Sequence, residues 1–254
     1  GPGGLMAWVM RRPLLIHEQN AVAGLTNRIL ARLANEVLEA FPHTFDKKAR
    51  AVGNPVRKQI QQLSDPQMRI GSHRGALRVL VIGGSLGAAR LNEIVPEAVS
   101  KITVEARPEI LHQTGLAKLD RTRELYQRYG VDARIEAFID DMAAAYGWAD
   151  LVICRAGAMT VFELAAAGVG SILVPYPHAV DDHQSANAEY LARKGAAIVR
   201  QQHELSSDWL SDTIKQMTQQ RDTLIRMAVA ARSMAKPDAA NEVADRCMHA
   251  GGLA

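Results

Sequence analysis

The sequence predicts an α/β protein built on a parallel sheet. Short runs rich in Val and Ile alternate with longer segments of helical period. Several of those runs end in a turn rich in Gly or Pro that leads into a helix. The size also fits, because 254 residues with 48% hydrophobic and 22% charged side chains bury a core without a disulfide or metal staple.

Strands are expected at Leu14–His17, Arg78–Ile82, Glu109–Gln113, Arg134–Phe138, Leu151–Cys154 and Ser171–Val174. Between the first two lies Gly24–Phe41, whose Leu25, Ile29, Leu30, Leu33, Val37 and Leu38 form a one-face stripe that reads as one long helix. Further helices are expected at Gly87–Ser100, Asp141–Trp148, Val161–Ala167, Ser185–Lys194 and Ser207–Met217, with Gly168 and Gly195 as C-terminal stops. Two more flank Pro237. GNPVR, Gly53–Arg57, followed by a polar stretch from Gln61 to Gly75, marks a boundary between a strand plus long helix upstream and a five-strand α/β unit downstream.

Composition excludes several classes. Cys154 and Cys247 are far apart and in no CxxC or Cys/His spacing, so neither a disulfide framework nor a zinc site is indicated. The longest uncharged run, Leu164–Val180, is broken by Gly168, Gly170, Pro175 and Pro177 and is shorter than the ~20 apolar residues that span a bilayer. GPGGLMAWVMRR carries its charges after its apolar residues, the wrong order for a signal peptide, and reads as cut from something longer. The formal charge of +3 is uneven: residues 1–80 hold 12 basic and 5 acidic side chains, the remainder 18 and 22. A basic end favours an anionic membrane, a phosphorylated ligand or a nucleic acid, or is simply solvated.

Three clusters carry the chemistry, each after a strand C-terminus, where open α/β sheets bind ligands. LRVLVIGGSLGAARLN, Leu77–Asn92, is a strand, a turn with Gly83, Gly84, Ser85 and Gly87, and a helix. Its amides suit a phosphate, or the turn is a tight connection that binds nothing. The spacing is neither GxGxxG nor a P-loop, and the second strand ends in His112 and Gln113 without a carboxylate, which disfavours a nicotinamide cofactor. ADLVICRAGAMTVFELAAAG, Ala149–Gly168, repeats the pattern. There Thr160 and Glu163 match a capping box, while Glu163 also suits a ribose diol. In PYPHAVDDHQSANAEYL, Pro175–Leu191, the adjacent Asp181, Asp182 and His183 fit N-capping better than metal ligation, and Gln184 and Asn187 are neutral amides suited to sugar hydroxyls or to solvent. Together the clusters describe a nucleotide-sugar site.

HEQNAVAGLTNRIL (17–30), VGNPVR (52–57), GGSLGAARLN (83–92), FIDDMAAAY (138–146), AGAMTVFELAAAG (156–168) and DDHQSANA (181–188), in this order, resemble the MurG family of N-acetylglucosaminyltransferases over essentially the whole chain. The resemblance implies a GT-B fold, two Rossmann-like domains facing a cleft, with 1–55 a remnant of the N-terminal acceptor and membrane-binding domain. Residues 56–235 would form the complete C-terminal UDP-GlcNAc-binding domain, and 236–254 a helix returning toward the N-terminal one. It implies inverting transfer of GlcNAc from UDP-GlcNAc to undecaprenyl-diphospho-muramoyl-pentapeptide, lipid I, forming lipid II in peptidoglycan synthesis.

By the same resemblance, Arg57 and Ser85 contact the diphosphate region, Ile139 offers its backbone to uracil, and Glu163 binds the ribose. Ala158, Met159, Thr160, Val161 and Phe162 line the diphosphate and sugar, and Gln184 and Asn20 contact the GlcNAc hydroxyls. Trp8 and Arg32 fall in a membrane patch on the cytoplasmic face, where the chain associates peripherally with an anionic leaflet; core packing is the other reading of Trp8. No nucleic acid, cofactor or metal is implied, since helix termini and an Arg can stabilise a leaving diphosphate. Leu86 departs from the family's usual Gln. The general base is expected from a glycine-loop segment N-terminal to Gly1, so no catalytic residue is assigned in this chain, which alone is expected to bind donor but transfer negligibly. The alternatives are another GT-B UDP-sugar enzyme, a soluble-acceptor transferase or a UDP-GlcNAc 2-epimerase, and a noncatalytic nucleotide-sugar-binding module.

Overall fold

A computed structural model describes residues 1–45, 49–83, 88–177, 179 and 182–252. Along the chain, α1 (Pro2–Val9), β1 (Leu15–Glu18), α2 (Leu25–Leu30), β2 (Glu36–Glu39) and β3 (Arg50–Ala51) come first. Next are α3 (Lys58–Gln61), α4 (Pro66–Ser72), β4 (Arg78–Ile82), α5 (Ala89–Ser100), β5 (Glu109–Gln113), α6 (Leu119–Arg128) and β6 (Arg134–Glu136). The remainder is α7 (Met142–Trp148), β7 (Leu151–Cys154), α8 (Ala158–Ala167), β8 (Gly170–Leu173), α9 (His183–Ala192), β9 (Ala197–Val199), α10 (Ser207–Gln219), α11 (Arg221–Ser233) and α12 (Ala239–Ala250).

Two parallel sheets result, one of order β1-β2-β3 and one of order β6-β5-β4-β7-β8-β9. The larger has the doubly wound order, with its switch point between β4 and β7, where Ile82 pairs with Cys154. RVLVI and LVIC read as unbroken apolar runs because helices cover both faces; β7 is buried throughout. Gly168 closes α8 in the left-handed region at φ 59°. There Arg69 Nη2 donates to the Gly168 carbonyl at 2.7 Å and Arg232 Nη2 to the Ala167 carbonyl at 3.1 Å, so two cations satisfy the helix end.

The long helix over Gly24–Phe41 does not form. α2 stops at Leu30, Asn35 Oδ1 accepts from the Leu14 amide at 2.9 Å, and Glu36–Glu39 joins the sheet beside β1. The upstream region therefore holds three strands, and the downstream unit six instead of five. Within the polar stretch Gln61–Gly75 lies α4, started by Asp65, whose carboxylate accepts from the Gln67 amide at 2.7 Å, and by Pro66 at its first turn.

The two sheets share a seam. Phe41, at the end of β2, packs edge-on against Phe162 of α8 and Tyr190 of α9, with ring centroids 4.9 and 5.2 Å away. Asn54 Nδ2 donates to the Gln19 carbonyl at 3.0 Å. Helix α12 reaches the smaller sheet through Arg246–Glu36 and Arg50–Glu242 ion pairs, 3.4 and 3.5 Å. Where the chain leaves β3, Gly53 adopts φ 87°, and a Cβ placed there would lie 2.6 Å from Lys236 Cβ.

Candidate functional site

The switch point brings the C-terminal ends of β4 and β7 side by side. Gly83 donates its amide to the Gln113 carbonyl at 3.0 Å; Ser85, expected at the diphosphate, and Leu86 lie outside the described residues. After β7 the chain turns through Arg155–Gly157 into α8, whose N-cap Gly157 supplies no side-chain acceptor. Val161 is the first residue whose amide closes onto the Gly157 carbonyl, at 3.0 Å. The amides of Ala158, Met159 and Thr160 are thus helix-initial donors suited to an anion.

This start corrects the capping-box reading, because Thr160 is the third helical residue instead of the cap and Glu163 the sixth. Glu163 makes a different contact: Tyr146 of α7, 1% exposed, donates its hydroxyl to Glu163 Oε2 at 3.0 Å. Burial pushes the Glu163 carboxyl above its usual range, opposed by the Tyr146 hydrogen bond and by the charge of Arg57. Arg57 is exposed at the start of α3. It lines a cleft of about 380 Å³ with Asp140, Asp141 and Met142. Asp140 and Asp141 also border a larger cleft of about 870 Å³ that holds Ile139, Phe138 and Trp148. Arg57 and Ile139 therefore flank the same two aspartates.

Not all residues of the AGAMTVFE segment face a ligand. Val161 and Phe162 are 0% and 1% exposed and belong to the core, and their amides serve the helix, so their contribution is packing. Met159 is exposed and Ala158 is buried.

Asn187, whose neutral amide suited sugar hydroxyls or solvent by sequence, is instead fully buried. Its Oδ1 accepts from the Ala21 amide at 2.8 Å, and its Nδ2 donates to the Ala156 carbonyl at 3.1 Å and to Asn20 Oδ1 at 3.3 Å. Asn20 is steadied from its own side by Glu18 Oε1, which accepts from its amide at 3.0 Å. Gln184 accepts from the Tyr176 amide at 3.0 Å through Oε1, and its Nε2 has no partner among the described residues. Asp182 stands at the N-cap of α9, but its carboxylate accepts from the Ser185 hydroxyl at 2.7 Å and caps no backbone amide; Asp181 lies outside the described residues. Among the described residues no group of three His, Cys, Asp or Glu is placed to hold a metal.

Arg155 and His17, which tie the loops around the site together, escaped the sequence reading. Arg155 donates to the Val174 and Pro175 carbonyls, both at 3.1 Å, and to Gln202 Oε1, and its guanidinium lies over Tyr176. It ties the β7 loop to the loop that leads to Gln184; a lone charge directly after a buried strand was the available signal. His17 meets the Gly53 carbonyl through Nε2 at 3.0 Å, and burial lowers its pKa, so the ring serves as a neutral donor that fixes β1 to the seam. Trp8 and Arg32 are both exposed among the described residues. Exposed apolar side chains in this part of the chain include Leu5, Met6, Val9 and Met10 of the α1 region and Leu25 and Ile29 of α2.

The glycosyltransferase family 28 C-terminal domain model matches residues 78–243. A protein of Marinobacter nauticus, named UDP-N-acetylglucosamine--N-acetylmuramyl-(pentapeptide) pyrophosphoryl-undecaprenol N-acetylglucosamine transferase, is 50% identical over 252 residues, 98% of this chain and 69% of its own length. The Nitrosococcus oceani protein of the same name is 52% identical over 98% of this chain and 70% of its own. The crystal structure of Acinetobacter baumannii MurG superposes with a TM-score of 0.87 at 43% identity, over 96% of this chain and 69% of that one. The chain belongs to the MurG family. A Staphylococcus aureus MnaA–UDP co-structure, TM-score 0.66 at 12% identity, shares the GT-B fold alone. Within this MurG-family chain, Asn20 and Arg57 fall outside the segment matched by the domain model, while Ile139, Glu163 and Gln184 fall inside it.

Proposed function

We propose that this chain transfers GlcNAc from UDP-GlcNAc to undecaprenyl-diphospho-muramoyl-pentapeptide, lipid I, yielding lipid II. The half-buried Glu163 carboxylate, held by Tyr146 and countered by Arg57 beside the free amides of α8, carries the reading. A carboxylate matches a ribose diol, and helix-initial amides with a guanidinium match a diphosphate. In the displacement the acceptor hydroxyl oxygen bonds to the anomeric carbon as the bond to the UDP oxygen breaks, inverting the centre; UDP departs with the bonding electron pair, and the hydroxyl proton passes to a general base, to which no residue of this chain is assigned. Stabilising negative charge on the departing diphosphate is the part that α8 and Arg57 perform, together with Ser85. Ile139 offers its backbone to uracil, and Gln184 and Asn20 contact the sugar.

Residues 56–235 act as the donor half, 1–55 contribute to the acceptor side, and 236–254 link back to it. The exposed apolar residues around Trp8, with Arg11, Arg12 and Arg32 nearby, serve peripheral docking to an anionic membrane at its cytoplasmic face. Among the described residues no helix is long and apolar enough to cross a membrane.

The test is transfer of labelled GlcNAc from UDP-GlcNAc to lipid I, with donor binding measured separately by calorimetry. Donor binding supports the reading of the donor site; lipid II formation supports the transfer and overturns the expectation that this chain transfers negligibly alone. Absence of UDP-GlcNAc binding refutes it.

A further inference from the structure

Glu163 is an acceptor with two chemically equivalent oxygens on a rotatable bond, and a vicinal diol needs both hydroxyls met at once. In the structure the equivalence is broken. Tyr146 Oη stands 3.0 Å from Oε2, and Oε1 takes no hydrogen bond among the described residues. Tyr146 itself is locked: it is 1% exposed and packed in the core that contains Ile60, Cys154, Val161 and Phe162. Its helix begins directly after Ile139–Asp141, with Asp141 Oδ1 accepting from the Ala144 amide at 2.9 Å. One rigid helix therefore carries both the loop expected at the base and the hydroxyl that orients the carboxylate expected at the ribose.

We propose that Tyr146 is a positioning residue for donor recognition: its hydroxyl holds Glu163 in the orientation that presents Oε1 and the remaining lone pair of Oε2 to the 2′- and 3′-hydroxyls of a ribonucleotide. The inference rests on the reading of Glu163 as the ribose acceptor. The groups acting on this carboxylate are Tyr146, Arg57 and the buried Cys154. Burial raises both the phenol and the thiol far above neutrality, so each stays protonated and Tyr146 remains a donor. Donation to an ionised acceptor opposes the effect of burial on Glu163 and keeps it charged for the ligand.

Calorimetry with UDP and 2′-deoxy-UDP on the full chain tests this. The wild type is expected to prefer UDP. Tyr146→Phe keeps the ring in the core and is expected to weaken UDP about tenfold, the scale of a lost hydrogen bond to a charged group. It should weaken 2′-deoxy-UDP, which keeps the 3′-hydroxyl, less than UDP, so the ratio of the two affinities falls, and the acid limb of UDP binding should move to higher pH. Glu163→Gln should collapse the ratio on its own, and the double variant should be no worse than Glu163→Gln.

Equal weakening of both nucleotides by Tyr146→Phe, or none, overturns the positioning role while Glu163→Gln still reports on the ribose. An unchanged ratio in Glu163→Gln overturns the ribose reading and this inference with it. A measurement independent of how the variant folds is the ζ-carbon resonance of ¹³C-labelled Tyr146 in the wild type. It should shift on addition of UDP and less with 2′-deoxy-UDP, and equal shifts or none count against the proposal.

Discussion

Asn187 Nδ2 donates to Asn20 Oδ1 at 3.3 Å, across the seam between the two sheets. The same amide group also bonds the Ala156 carbonyl, and its Oδ1 accepts from the Ala21 amide. One side chain thus ties the loop before α8 to the loop after β1. Asn187→Ala leaves these groups unpaired in a buried setting and is expected to lower stability by about 1–3 kcal/mol in urea unfolding, while also weakening UDP-GlcNAc binding. Asn187→Asp keeps the acceptor for Ala21 but turns an oxygen toward two oxygens, so it should fare no better than alanine.

Glu163→Gln retains an oxygen for the Tyr146 hydroxyl, so the melting temperature should hold while UDP-GlcNAc affinity falls. Glu163→Ala leaves that hydroxyl unpaired and should lower both, with the larger effect on affinity. Burial lifts the carboxyl above its ordinary 4.5, so donor affinity should decline on acidification earlier than an exposed Glu would titrate. Its contribution to stability runs the other way: it is fully present below 4.5 and lost as pH rises through the higher folded value. Binding and melting followed between pH 4 and 7 should therefore move in opposite directions for this group, and Glu163→Gln should flatten both.

Phe162 stands within the AGAMTVFE segment, yet its ring meets Phe41 and Tyr190. Phe162→Ala is expected to cost about 3–5 kcal/mol in chemical unfolding. Phe162→Leu should cost far less, and donor affinity should follow the folded fraction in both.

His112 is wholly enclosed, with Nδ1 2.9 Å from Tyr126 Oη and Nε2 3.1 Å from Asn92 Oδ1. Asn92 Nδ2 donates to the Thr114 carbonyl, so its Oδ1 accepts from Nε2–H, and Tyr126 donates to Nδ1. Desolvation pushes the imidazole pKa down to about 3 from 6.5. Between those values the unfolded chain takes a proton that the folded chain refuses. Stability should fall as pH drops below 6.5, by up to about 1.4 kcal/mol per pH unit from this group. Urea unfolding at pH 7.5 and 5 should show it, and His112→Gln should remove one proton from the dependence.

Trp8, Leu25 and Ile29 are exposed apolar side chains next to basic ones. Cosedimentation with phosphatidylglycerol-containing vesicles should exceed that with neutral vesicles and weaken with salt. Trp8→Ser should reduce binding to both, and Arg32→Glu chiefly to the anionic ones, on the scale of about 1 kcal/mol per basic group.

Strands β4, after Arg78, and β7 were legible because runs buried on both faces leave no polar interruption, and Gly168 was legible as a stop because the left-handed region closes α8 there. For the same reason β2 was not legible: Val37, Leu38, Ala40 and Phe41 continue the apolar stripe of Leu25 and Ile29, and a short run buried on both faces has no period to separate it from a helix. Asn35 was the missed punctuation. Helix α6 exposes most of its polar surface and buries only Thr122 and Tyr126, so its charges hid it, and β9 is three residues long. In the site, Glu163 was visible as a carboxylate near a glycine turn. Tyr146 and Asn187 were not, because their roles depend on partners 17 and 166 residues distant.

The chain crosses the seam twice, at Gly53–Pro55 and again between α11 and α12, and the crossings touch where Lys236 fills the space beside Gly53. Both backbone crossings between the sheets are therefore locked together at Gly53, while Phe41 and Asn187 hold the rest of the seam through side chains. Any side chain at position 53 would wedge the two crossings apart, against Lys236 and against a φ of 87°.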